Sequence, residues 1–110
     1  MTGASEHQRL AQDLRHAALE APALTEPRLR GGAAERAIGG PAIDEPFDAL
    51  AKQIGAAAYG VTDAQVAKVL EAAGNEKAAF EIIAAAAVGA GLQQWELGTK
   101  ALREAIDATA

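Results

Sequence analysis

The sequence predicts an all-α fold, a small helical bundle, on three observations. No stretch sustains the apolar–polar alternation that a half-buried strand requires. Apolar residues recur instead at helical spacing, as in Val66, Val69, Leu70 and Ala73, which stand at i, i+3, i+4 and i+7. Between such stripes come residues that open helices and glycines that close them.

The elements follow in order along two stretches. Residues 1–44 read as an N-terminal arm, partly helical, polar and near charge balance. Ser5 and Gln8 stand at capping-box spacing, which predicts a helix from about Glu6 to Glu20 with Leu10, Leu14 and Ala17 on one face. Pro22 stops it, because proline lacks the amide a helix interior needs. A short helical turn is expected around Ala33 to Ile38, and the pairs Gly31-Gly32 and Gly39-Gly40 argue for mobility on either side.

Residues 45–110 are richer in alanine and more acidic, and they read as the helical domain, in four helices. "DEPFDALAKQIGAAAY" opens with acids and Pro46 and puts Phe47, Leu50 and Ile54 on one side, with Gly60 expected as its left-handed closing residue. Thr62 and Gln65 form a second capping box, Asp63 favours the positive end of that helix, and Gly74 ends it. Asn75 caps a third helix, apolar on nearly every side from Ala78 to Val88 and therefore expected at the centre. Gly89, Ala90 and Gly91 leave room for a close backbone approach or a bend. A last helix, Leu92 to about Ala108, carries Leu92, Trp95, Thr99, Leu102 and Ile106 on one stripe.

Composition narrows the function classes. Half the chain is hydrophobic, but thirty of those residues are alanine. At about 25 cal/mol per Å² of buried apolar surface, such side chains make a thin core for a monomer. A homo-oligomer is therefore expected. The net charge of −5, with no basic cluster, speaks against nucleic acid. The absence of cysteine removes disulfides and thiolate chemistry. No apolar leader opens the chain, and its longest apolar run is shorter than a membrane span, so a soluble, cytoplasmic protein without a membrane partner is expected.

Candidate chemistry is sparse. Between Ala78 and Leu92 the only charge is Glu81. It reads either as a partly buried general acid or base of raised pKa, or as a carboxylate that pairs with Lys77 one turn back or reaches a neighbouring cation. His7 and His16, the two histidines, are nine residues apart, which is not the spacing of a helical metal pair, and no metal site or cofactor is expected. Thr62 is accounted for as a cap, and "GGAAERAIGG" lacks the lysine and the preceding strand of a phosphate loop. Tyr59 and Trp95 read as core aromatics before they read as pocket walls.

From about Phe47 to Glu104, the run "AAYGVTDAQVAKVLEAAGNEKAAFEIIAAAAVGAGLQQWELGTKALREA" resembles the alkyl hydroperoxidase D-like (AhpD-like), or carboxymuconolactone decarboxylase-like, family of small helical proteins. The "YxVTD" element, "AAG" and "FEIIAAAAVGAG" carry the resemblance. It implies protomers that assemble as trimers or hexamers. In peroxidase members a Cys-x-x-Cys pair and a histidine would fall near Tyr59, Thr62 and Val66, so a cysteine-dependent peroxidase is excluded. The decarboxylase branch leaves Glu81, Tyr59 and Asp63 as catalytic candidates. The expected function is a non-redox, oligomeric structural or interaction module, accessory to a larger enzyme, with the N-terminal arm as the partner-binding element. The alternatives are an acid/base enzyme of the decarboxylase type using Glu81, and a carrier of apolar small molecules.

Overall fold

A computed structural model describes residues 2–109, with side chains described for residues 6–109. Helix takes 82% of the chain and no strand occurs among the described residues, so the all-α class holds. Five helices follow one another: α1 (Thr2–Arg15), α2 (Pro27–Ala37), α3 (Phe47–Ala57), α4 (Asp63–Ala73) and α5 (Glu76–Thr109). A π-turn at His16–Glu20 prolongs α1, and a 3₁₀ turn at Ala58–Gly60 follows α3.

Several local signals act as the sequence predicts. Thr62 Oγ1 accepts from the Gln65 amide and the Gln65 side chain accepts from the Thr62 amide, a complete capping box for α4. Gly74 closes α4 at φ +91°, donating its amide to the Leu70 carbonyl. Asn75 Oδ1 accepts from the Ala78 amide at the start of α5.

Other expectations are corrected. α1 already begins at Thr2, ahead of Ser5, whose side chain lies outside the described residues. Gly60 does not adopt a left-handed conformation, since α3 passes into a 3₁₀ turn; besides Gly74, the glycine that does is Gly39, after α2. The expected turn near Ala33 is an eleven-residue helix, with Pro27 in its first turn, where a missing amide costs nothing. The expected third and fourth helices are one helix of 34 residues, and Gly89 to Gly91 neither break nor end it.

The core explains why α2 is ordered. Ala33 and Ala37 of α2 pack with Leu50, Ala51 and Ile54 of α3, Val69 of α4, and Ala79, Ile82 and Ala86 of α5. Five of these nine buried residues are alanine, so the helices meet nearly backbone to backbone. A Cβ on Gly55 would lie 1.7 Å from the Ala37 carbonyl oxygen, and one on Gly89 would lie 2.6 Å from the Ala34 oxygen. Glycine at these two positions is what lets α3 and α5 close on α2. A smaller cluster joins Leu19 to Ala34 and Ala85, pinning the π-turn to α2 and α5. Leu19 therefore anchors this segment, while Leu10 and Leu14 of the expected stripe stay exposed. No residue of α5 beyond Gly89 is buried. No helix among the described residues is long and apolar enough to cross a membrane.

Candidate functional site

Glu81 lies on α5 less than two turns after its start and is half-buried. Its partners lie across the bundle, on the strap that leads into α2. Oε1 accepts from the Thr25 amide at 2.8 Å and from the Thr25 hydroxyl at 2.7 Å, and Oε2 accepts from the Leu24 amide at 3.1 Å. Glu26, the N-cap residue of α2, makes no side-chain cap bond, and the Leu29 and Arg30 amides donate to its carbonyl. Leu24 and Thr25 lie ahead of that cap, so the carboxylate from α5 satisfies amides of the strap and not those of the helix's first turn.

The electrostatics follow from this geometry. The Thr25 hydroxyl holds the Glu81 carboxyl below its ordinary pKa of 4.5; partial burial opposes that, and the Thr25 and Leu24 amides and the Arg30 charge add to the lowering. Hydrogen bonds to the charged form favour it. Glu81 is thus an ionised anchor, the opposite of the raised pKa a general acid needs. No ion pair joins it to Lys77 among the described residues.

Arg30 completes the clamp from below. It is fully buried on α2, and its guanidinium donates to the carbonyls of Ala18, at 2.9 Å, and Ala21. These carbonyls belong to the end of the π-turn, where helical acceptors run out of partners. Arg30 Nε is buried without a partner. Together Arg30 and Glu81 hold residues 18–25 by their carbonyls on one side and their amides on the other.

A second polar anchor ties the loop between α2 and α3. Arg36 Nε donates to Asp48 Oδ1 at 2.7 Å, and the same oxygen accepts from the Ile43 amide at 2.9 Å. Arg36 Nη1 reaches the Gly40 carbonyl at 3.1 Å. The Ile43 amide, joined by Arg36 and more weakly by Lys52, keeps the Asp48 carboxyl below its ordinary range against the desolvation that raises it.

The sequence candidates do not come together. Tyr59 sits in the 3₁₀ turn with 96% of its surface exposed, and Asp63 is exposed at the first position of α4. No hydrogen bond joins Tyr59, Asp63 or Glu81 to one another among the described residues. The hollows lie elsewhere. One of about 450 Å³ separates α1 from the outer half of α5, with Gln8, Gln12 and Arg15 facing Glu96, Lys100 and Arg103. A second, of about 280 Å³ and mostly apolar, lies on the opposite flank of the same helix pair, between Leu10 and Leu14 and the pair Leu92 and Trp95. Neither these nor the hollows beside Ile43 and beside Pro46 are lined by Glu81, Tyr59 or Asp63. Among the described residues no three histidine or acidic side chains converge as a metal site would require; His16 instead meets Glu20 at 2.8 Å on the surface.

Sequence reasoning did not single out Arg30, Thr25, Arg36 or Asp48. Asp48 could be read only as an acid in a first helical turn, and its partner Arg36 lies a whole loop away. Arg30, beside two glycines, gives no local sign that it is buried. Comparison with family models, with curated proteins and with solved structures finds no match.

Proposed function

We propose that this protein is a non-redox helical module that works by assembling, with itself and with a partner such as a larger enzyme, and not by catalysis. The observation that carries the reading is the state of Glu81. The carboxylate best placed for chemistry in the apolar segment has both oxygens engaged by the strap before α2, and it is held ionised. The acid/base alternative needs Glu81 free and facing a cavity shared with Tyr59 or Asp63, and the hollows described lie elsewhere. The assembly side is supported by the alanine-based core and by the large apolar side chains exposed on α1 and the outer half of α5.

The likeness to the AhpD-like family over Phe47 to Glu104 belongs to the same proposal: a cysteine-free member that keeps the habit of oligomerisation and has lost redox chemistry. A cytoplasmic setting is part of it. The test is light scattering of the full chain over a dilution series, with a lactone and decarboxylation screen on the same sample. The reading expects an assembled mass and no turnover. A single chain at every concentration overturns it, and so does a turnover that Glu81→Gln abolishes while the helical spectrum is kept.

A further inference from the structure

We propose that the chain pairs with a second copy of itself through the outer half of α5, the two helices running antiparallel with the α1 helices flanking them as a four-helix bundle. The proposal rests on the assembly reading above and names its partner and its surface.

The surface is defined by what leaves it bare. From Leu92 to Thr109, α5 stands clear of the alanine core for about 27 Å at 1.5 Å per residue, with α1 alongside. Its five charges, Glu96, Lys100, Arg103, Glu104 and Asp107, fall within an arc of about 100° at 3.6 residues per turn. The rest of the circumference carries none, although it is exposed: Leu102 is 62% and Ile106 56% accessible. A helix that only met water would carry charge around this arc too. Leu10 and Leu14 of α1 extend the bare face beside Trp95, so the surface is two helices wide.

Its occupant follows from shape and charge. Large and small residues alternate along the bare face, and Gly91, Gly98 and Ala105 recur every seven residues. In an antiparallel pair, Leu102 lies over Gly98 of the partner subunit and Trp95 over Ala105 of the partner subunit. Two-fold symmetry repeats each contact, so Trp95 and Leu102 of both chains each meet a small residue. The same register sets Gly91 against Thr109 of the partner subunit. The overlap then covers the segment that stands clear of each core, and the two cores, in chains of charge −5, sit at opposite ends. A parallel pair would stack Trp95 on its own copy and crowd both acidic cores together. A standard interface removes about 800 Å² from each partner, a size that two helices over this length can supply. An anionic lipid surface fits less well, because the charged arc holds three acids against two bases.

The test uses the full chain. Light scattering at tens of micromolar is expected to give twice the 11.2 kDa chain mass, or an even multiple built from such pairs. Leu102→Glu, at an exposed position, is expected to weaken the pairing at least 100-fold with the helical spectrum unchanged. The chain has no cysteine of its own, so register is read by mixing equal amounts of single variants Gly98→Cys and Leu102→Cys under mild oxidation. The mixed disulfide is expected to be well over twice either homodimer, twice being the share that random pairing would give. An odd-numbered assembly, a mass untouched by Leu102→Glu, or a mixed product no more than twice either homodimer overturns this interface and leaves the assembly reading standing. A wild-type chain that stays single overturns both, and sedimentation of that single chain with phosphatidylserine vesicles would assign the face to lipid.

Discussion

Glu81 shows how one carboxylate in an apolar run can be spent on architecture. Its folded pKa lies below the unfolded value, so the unfolded chain takes up the proton first as the pH falls. The stabilisation is complete above about pH 4.5 and is lost as the pH drops through the folded value. Glu81→Gln is therefore expected to lower the thermal midpoint by several degrees at pH 7 and to flatten its fall between pH 5 and 3; an unchanged acid limb would refute the anchor. Arg30→Met should cost about 3 kcal/mol, because the Ala18 and Ala21 carbonyls lose a charged donor in a buried place, and urea unfolding reads it directly. The sequence made Glu81 conspicuous but could not reveal its partners. Leu24 and Thr25 are more than fifty residues away, and donors offered by backbone amides leave no mark in side-chain pattern.

At the scale of elements, punctuation was legible and continuity was not. Thr62, Gln65, Gly74 and Asn75 set α4 and the start of α5 through local hydrogen bonds, which sequence encodes within a few residues. The Gly89 to Gly91 stretch was ambiguous, because glycine serves a bend and a close contact equally well. Packing of Gly89 on Ala34 decides for contact, and α5 runs on. In α2 the glycine pair weakens local propensity, and tertiary burial of Ala33, Ala34 and Ala37 overrides it. The glycines can be told apart by experiment. Gly55→Ala drives a Cβ into the Ala37 carbonyl and should destabilise by about 3 kcal/mol. Gly31→Ala, in the same bundle but with open space around it, should stabilise by about 0.5–1 kcal/mol through helix propensity. Chemical denaturation of the two variants side by side checks both signs.

At the scale of the molecule, the chain is a compact alanine core with a two-helix extension, 54 Å in its longest dimension. The two parts should differ in local stability. In a Leu102→Glu chain held as a monomer, amide exchange is expected to be slow from Ala78 to Gly89 and fast beyond about Gly91, while in the wild-type pair protection should reach past Leu102. Uniform protection in both would mean that the outer half needs no second chain. The class and most helix starts could be read from the sequence, but the extension could not. A stripe such as Leu92, Trp95 and Leu102 looks the same whether it faces its own core or another molecule. The continuity of α5 has a mechanical side. With Gly89 seated on Ala34 and the helix unbroken to Thr109, α5 would act as a strut through the molecule once pairing has ordered its outer half. In that paired state a load applied at Ile106 would be delivered along one continuous helix to Ile82 and to the strap held by Glu81.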